Sequence, residues 1–97
     1  MESPETYAER RVRELATESG KVALTTHARK RMHQRHITLP QVLETLRDGD
    51  IDEAFHREAN GFWTARFCRW VAGDRVFVVA RLDDSGAEIV VVITVIV

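Results

Sequence analysis

The chain has 97 residues, of which 44% are hydrophobic and 30% are charged, a composition typical of one soluble globular domain rather than of a disordered chain. Its single cysteine, Cys68, excludes a disulfide scaffold and favours a reducing cytoplasm, and its longest apolar run, residues 89–97, has about half the length that a membrane helix needs. The net charge is −1, but the charges are unevenly distributed along the chain. Residues 21–40 hold five lysines and arginines and no acid, residues 41–60 hold six acids and two arginines, and residues 61–82 are basic again. Two basic segments that converge on one surface would attract a polyanion.

The N-terminal residues predict a helix. Ser3 can cap it, and apolar side chains recur every three or four positions over residues 3–19, up to a stop at Gly20. Residues 21–25 then predict a short strand or an extended bridge. The apolar positions of this first helix also allow an oligomer.

Two further helices are expected before the first long strand. The second helix runs from Thr26, which is its predicted cap, to His36. In the third helix, Thr38 and Gln41 have the spacing of a capping box, and Gly49 marks the end.

The rest of the chain predicts a meander of strands over residues 51–58, 62–71, 75–82 and 87–97, with turns at 59–61, 72–74 and 83–86. The last strand is apolar on both faces and is therefore expected to be central, or covered on both sides, rather than at an edge. The predicted fold class is α+β: a single domain over residues 1–97, with N-terminal helices packed on one face of a roughly four-stranded antiparallel sheet.

The second helix carries the pattern that points most directly to chemistry. His27, Arg31 and Arg35 are spaced by four residues and fall within an arc of about 80°, next to the predicted core contacts Ala28 and Met32. Histidine is the usual general acid or base at neutral pH. Arginine suits bidentate phosphate binding and stabilises the charge that develops in phosphoryl transfer. Together the three side chains suit attack on a phosphodiester.

The same stripe has a plainer interpretation as a solvated face or an ion-pairing surface, with the six carboxylates of residues 44–58 as its partners. A dedicated zinc site is not expected, because the histidines and Cys68 lack a recognised ligand spacing, and no cofactor is predicted. Cys68 lies in the middle of a strand and is expected to be an inert, packed thiol.

Further site residues would come from the sheet. Arg66 lies on the face of strand 62–71 opposite its apolar positions, which makes it a candidate phosphate contact, and Arg81 is the equivalent candidate on the next strand. Trp63 or Trp70 could stack on a base, although a tryptophan in a strand more often belongs to the core or is half-covered.

The motif His27-Ala28-x-x-Arg31-Met32-x-x-Arg35-x-Ile37, followed by a helix and a meander that ends in Ile93-Thr94-Val95, resembles the DUF4258 family. That family looks like a relative of the RelE/ParE-type toxins, and so of the barnase/EndoU/colicin/RelE-like ribonuclease group. The likeness covers about residues 22–97 and implies that His27, Arg31 and Arg35 belong to the functional surface, with Thr94 as a fourth member. The family often closes its last strand with an aromatic residue after Thr-Val, where this chain has Ile96.

The residues and the resemblance together lead to the expectation of a metal-independent endoribonuclease, the toxin of a toxin–antitoxin pair. Residues 1–20 would be an added helix and residues 21–97 the toxin-like core. The ribose 2′-hydroxyl would attack the adjacent phosphate, with His27 as general acid or base and the arginines on the phosphate. The expected partners are RNA, free or on the ribosome, and an acidic antitoxin, with no membrane. The alternative is a non-catalytic RNA- or protein-binding module on the same fold, which needs the arginines but not the imidazole.

Overall fold

The computed structural model describes residues 1–83 and 88–97. Within these residues it has three helices and a five-stranded mixed sheet, which confirms the α+β class. The elements are α1 (Pro4–Leu15), β1 (Val22–Leu24), α2 (Thr26–Arg35), α3 (Leu39–Asp48), β2 (Asp50–Arg57), β3 (Trp63–Val71), β4 (Asp74–Asp83) and β5 (Ile89–Ile96), with a short 3-10 turn at Ser19–Lys21. The order of strands across the sheet is β1-β5-β4-β3-β2.

The prediction of four antiparallel strands is corrected by β1, which adds a fifth strand parallel to β5, with Val22 opposite Val90 and Leu24 opposite Val92. Parallel neighbours need a long connection, which the helices and the other strands supply here. The expected central position of the last strand is confirmed, since β5 lies between β1 and β4. The predicted turn at residues 83–86, apart from Asp83 at the end of β4, lies outside the described residues, as does the predicted start of the last strand at Ala87.

The ends of α1 agree with the prediction at one terminus only. Ser3 caps the helix, since its hydroxyl accepts a hydrogen bond from the Thr6 amide at 3.2 Å. The helix ends at Leu15 rather than at residue 19. The Thr17 hydroxyl bonds back to the Glu14 carbonyl at 2.7 Å, and the amides of Thr17 and Glu18 donate to carbonyls three residues back instead of four, as in a 3-10 turn. Gly20 therefore belongs to the 3-10 turn instead of closing α1.

The predicted caps of α2 and α3 agree with the structure to within one residue. Thr25, and not Thr26, caps α2, and the helix ends at His36 in the left-handed conformation, with φ 56°. The capping box of α3 is confirmed, because Thr38 and Gln41 exchange both hydrogen bonds, at 2.8 Å and 3.3 Å.

The core lies between the sheet and α1 and α3, on the face of β4 that carries Val76, Val78, Ala80 and Leu82, all buried. The opposite face of β4 carries Arg75, Phe77, Val79 and Arg81, which keep part of their surface in solvent. We call this second side the outer face of the sheet.

α1 covers the sheet with its apolar stripe. Ala8, Val12 and Leu15 are buried in the core, so the apolar positions that suggested an oligomer are not available on the surface. Arg13 ties the helix to the end of α3 by donating to the carbonyl oxygens of Leu46 at 3.1 Å and Arg47 at 2.9 Å. In the described part of the chain, no helix is long and apolar enough to cross a membrane.

Candidate functional site

α2 lies along the part of β5 that β1 leaves uncovered. β1 ends at Leu24, opposite Val92, so within the described chain the later residues of β5 have no strand neighbour on that side, and α2 packs against β5. Thr25 fixes the junction, because its hydroxyl accepts a hydrogen bond from the Ala28 amide at 3.0 Å and donates one to the Ile93 carbonyl at 2.8 Å. The first turn of α2 is thereby held against β5.

A β-bulge at Ile93 decides which side chains of β5 leave the core. Val92 pairs with Ala80 and Thr94 pairs with Val79, so Ile93 is an extra residue in β5. In a regular strand Val92 and Thr94 would share a face, but here Val92 is fully buried on the core side whereas Thr94 shares the outer face with Val79. The bulge therefore takes the Thr94 hydroxyl out of the core.

A groove of about 330 Å³ opens between α2 and the end of β5. It is lined by His27, Arg31 and Arg35 from α2 and by residues 94–97 from β5 and the C-terminal end. The structure thus brings together four of the predicted site residues, the three of the helical stripe and Thr94. We call this site the α2 groove.

The sequence of α2 explains why these side chains stand at the groove. Ala28 is fully buried and Met32 is 8% exposed, so they anchor one side of the helix in the core. His27 and Arg31 each precede one of these anchors by one residue, about 100° around the helix, and Arg35 continues the same line. The buried anchors hold the helix so that three polar side chains, all exposed, line its margin.

The cations of α2 have no acidic partner among the described residues. Five of the six carboxylates of residues 44–58 pair elsewhere: Asp52 and Glu53 with Arg66, Asp52 with Arg75, Glu44 and Asp48 with Arg69, and Glu58 with His56. The sixth, Asp50, forms no ion pair with a described residue. The ion-pairing interpretation of the stripe is therefore wrong for these carboxylates. The α2 groove keeps an uncompensated positive charge, which favours an anion.

Arg66 and Arg81 lie outside the α2 groove, on the outer face of the sheet. Arg66 donates to Asp52 at 2.6 Å, and its guanidinium carbon is 5.4 Å from the centre of the Phe77 ring. Arg81 stacks at 5.0 Å over Phe62, and its Nε is buried without a hydrogen-bond partner in the described chain. The structure does not bring these two predicted substrate contacts to His27.

A second groove, of about 480 Å³, lies where α3 meets β2 and beside the end of β3, and we call it the Trp70 groove. Trp70 is 68% exposed, so the expectation of a core or half-covered position is wrong for this tryptophan, whereas Trp63 packs against the core. The acidic residues of this groove, Asp48 and Asp50, are not among the site residues predicted from the sequence. The signal available was their position on either side of Gly49, the residue that ends α3.

The other groups with chemical potential lie away from the α2 groove. Among the described residues, no three histidine, cysteine, aspartate or glutamate side chains are placed to hold a metal ion. Cys68 is buried, as expected, and it accepts a hydrogen bond from Arg75 Nη2 at 3.4 Å, which raises the pKa of Arg75. Hydrogen bonds to the Ala54 carbonyl and to Glu58 raise the pKa of His56.

Comparison with known proteins matches residues 24–97 to the family described as a domain of unknown function, DUF4258. The matched region begins at the last residue of β1 and contains α2, α3 and β2 to β5, so it includes both grooves, whereas α1 precedes it. No curated protein and no solved structure matches the chain.

Proposed function

The chain belongs to the DUF4258 family, and we propose that it is a metal-independent endoribonuclease with its active site in the α2 groove. One observation carries the proposal: an imidazole, two guanidiniums and a hydroxyl meet in a single groove, from His27, Arg31, Arg35 and Thr94. The two guanidiniums have no acidic partner among the described residues, so they are free to bind a phosphate.

The proposed reaction assigns one role to each group. His27 accepts the proton of a ribose 2′-hydroxyl, and the 2′-oxygen forms a bond to the adjacent phosphorus. The bond from phosphorus to the 5′-oxygen breaks, and protonated His27 returns the proton to that oxygen. Arg31 and Arg35 donate to the non-bridging oxygens, where negative charge builds up in the transition state. The products are a 2′,3′-cyclic phosphate and a 5′-hydroxyl, so no hydrolytic water or metal is required.

The rest of the substrate would cross the outer face of the sheet. Thr94 shares that face with Val79, which pairs with Arg66 on the next strand. In this proposal Arg66 and Arg81 contact the RNA away from the scissile phosphate, and Thr94 orients the ribose or the phosphate at the edge of the active site.

The resemblance to RelE/ParE-type toxins adds the biological part of the proposal. A toxin of this type would cut RNA in the cytoplasm, free or on the ribosome, and would be held inactive by an antitoxin. The unpaired positive charge of α2 supports a partner with acidic side chains that covers the α2 groove.

One observation favours a second candidate, a non-catalytic RNA- or protein-binding module. Ile96 stands where the DUF4258 pattern often has an aromatic residue, and it lines the α2 groove with 43% of its surface exposed. An aliphatic side chain cannot stack on a base as an aromatic one does. Such a module would bind its ligand through Arg31 and Arg35 and would not need the imidazole of His27.

Cleavage of a mixed RNA substrate in excess EDTA, with and without ribosomes, tests the proposal. We expect cuts with 2′,3′-cyclic phosphate ends in wild type and a loss of about 10²- to 10⁴-fold in rate for His27→Ala. Arg31→Ala should lose about 10²- to 10³-fold. The matched controls are His33→Ala and Lys30→Ala, which change exposed residues of α2 that do not line the α2 groove.

The controls should cut within about twofold of wild type, since surface substitutions of this kind have small effects. Unchanged cleavage by His27→Ala would rule out the proposed mechanism. A wild-type protein that binds RNA in a salt-dependent manner, does not cut it, and keeps its binding after His27→Gln would establish the binding module instead.

A further inference from the structure

The Trp70 groove is built from the ends of three strands and from the junction between α3 and β2. Its polar and aromatic lining consists of Asp48, Asp50, Cys68, Arg69, Trp70 and Arg75. β2 begins at Asp50, opposite Cys68, so in the described chain the last residues of β3 extend past the end of β2. The groove therefore stays open beside Trp70.

Trp70 provides an aromatic surface that the fold does not use. A buried tryptophan removes a large apolar area from water, yet this one leaves 68% of its surface exposed. No aromatic or cation–π contact involves Trp70 within the described residues. Its indole is free to stack on a planar ligand, and stacking of a base on an aromatic side chain contributes about 1–3 kcal/mol.

A carboxylate and a guanidinium stand beside this indole. Asp50 makes no salt bridge or side-chain hydrogen bond with a described residue, and its charge contributes to the raised pKa of Arg75. Its carboxylate can therefore accept hydrogen bonds from a ligand. Arg75 lies on the other side, opposite Trp70 in the β3–β4 ladder, and holds the Cys68 sulfur at 3.4 Å and Asp52 at 3.8 Å. Both of these contacts use Nη2, so the other nitrogens of the Arg75 guanidinium can donate to a ligand.

The charges that line the groove balance, because Asp48 and Asp50 are matched by Arg69 and Arg75. The groove therefore has no excess of positive charge to hold a phosphate, whereas its carboxylates accept hydrogen bonds from the N–H groups of bases. Guanine presents two adjacent donors, N1–H and N2–H, to a single carboxylate, and its O6 and N7 accept from arginine. Adenine and cytosine offer one exocyclic amino group on that edge, and uracil offers one N–H. We propose that the Trp70 groove binds a guanine base, stacked on Trp70, with its N1 and N2 groups on Asp50 and its O6 and N7 on Arg75.

The Trp70 groove lies on the same side of the sheet as the α2 groove. Asp50, Cys68, Phe77 and Ile96 are successive cross-strand partners, so their side chains project to one face. Cys68 lines the Trp70 groove and Ile96 lines the α2 groove, with one strand between them, which separates the grooves by about 10 Å.

The surface between the grooves, around Phe77, also carries cations from β3 and β4. The guanidinium carbons of Arg66 and Arg75 lie 5.4 Å and 5.3 Å from the centre of the Phe77 ring. A single strand of RNA with a guanine in the Trp70 groove would cross Phe77 and reach His27. The position of this guanine beside the cut rests on the proposed function, whereas binding of the base does not.

Titration of the full chain with guanosine and adenosine, followed by tryptophan fluorescence and by calorimetry, tests the inference, because neither nucleoside carries a phosphate that the α2 groove could bind. Wild type should bind guanosine about tenfold or more tightly than adenosine, the discrimination that one bidentate contact provides. Asp50→Asn should lose this preference, and Trp70→Leu should weaken both nucleosides by about tenfold. Asp74→Asn is the matched control, since Asp74 is exposed at the start of β4 and does not line the groove.

Equal affinity for guanosine and adenosine, or a preference that survives Asp50→Asn, would overturn the assignment. Absence of nucleoside binding would also overturn it and would leave Trp70 as a contact for a protein. His27→Ala separates the two proposals, because it should slow cleavage by about 10²- to 10⁴-fold and keep guanosine binding. If wild type cuts RNA without binding guanosine, the guanine site fails alone; if it binds guanosine and never cuts, the ribonuclease fails alone.

Discussion

Replacement of Gly49 by alanine should destabilise the protein for a purely steric reason. The backbone of Gly49 has φ −73°, which any residue can adopt. A Cβ at this position would lie 2.6 Å from the Cys68 carbonyl oxygen and closer still to the Thr45 carbonyl oxygen. Ordinary C···O contacts begin at about 3.3 Å, so α3 and β3 would have to separate by roughly 0.7 Å. Thr45 cannot withdraw freely, because its carbonyl accepts the Gly49 amide at 2.9 Å.

Overpacking of this kind costs about 1–3 kcal/mol, and each kcal/mol lowers the Tm of a domain of this size by about 4–8 °C. Urea and thermal unfolding followed by circular dichroism measure the loss. Gly20→Ala is the control, since a Cβ there meets no atom within 4 Å and should be neutral or gain up to about 1 kcal/mol. A Gly49→Ala protein as stable as Gly20→Ala would show that the junction between α3 and β2 adapts, and would refute the steric argument.

Three further outcomes follow from single contacts. Thr25→Val removes the cap of α2 and the bond to Ile93 and should cost about 1–2 kcal/mol in thermal unfolding and reduce RNA cleavage, whereas Thr25→Ser should keep both properties. Thr64→Val should leave stability unchanged or raise it by up to about 1 kcal/mol, because the buried hydroxyl has no partner among the described residues; a clear loss in urea unfolding would contradict this. The raised pKa of His56 means that its hydrogen bonds to the Ala54 carbonyl and to Glu58 stabilise the fold fully below the unfolded pKa of about 6.5 and that this contribution is lost as the pH rises through the folded pKa. The stability difference between wild type and His56→Gln should therefore be small, since His56 is 48% exposed, and should shrink from about pH 5.5 to 8; growth over that range would contradict the sign.

Local patterns were sufficient to predict α2 and the side of it that lines the α2 groove. The spacing of His27, Arg31 and Arg35 fixes one helical face, and Ala28 and Met32 fix which neighbouring face is buried. These relations depend only on residues within one helix, so no knowledge of the rest of the chain is needed.

The sheet shows where local patterns stop being sufficient. Residues 22–24 form a strand of three residues whose partner, residues 90–92, is far away in sequence, so nothing local indicates a parallel pair. The bulge at Ile93 lies in a run of apolar residues that fits either alternation, and only the pairing with β4 shows that Thr94 leaves the core. The face of Arg66 was predicted correctly, but alternation cannot show that Asp52, on a neighbouring strand, occupies its guanidinium.

The distribution of charge also sets the range over which the proposed RNA substrate is attracted to this protein. With a net charge of −1, the molecule exerts almost no attraction as a whole, and at physiological ionic strength each charge is screened over about 8 Å. Steering is therefore confined to the immediate neighbourhood of α2, whereas the acid-rich residues 41–60 repel a strand that approaches from their side. Electrostatics would then select the orientation of encounters rather than increase their number. For the proposed ribonuclease, association with RNA should therefore be slower than for a uniformly basic protein, and a larger share of the encounters should be productive.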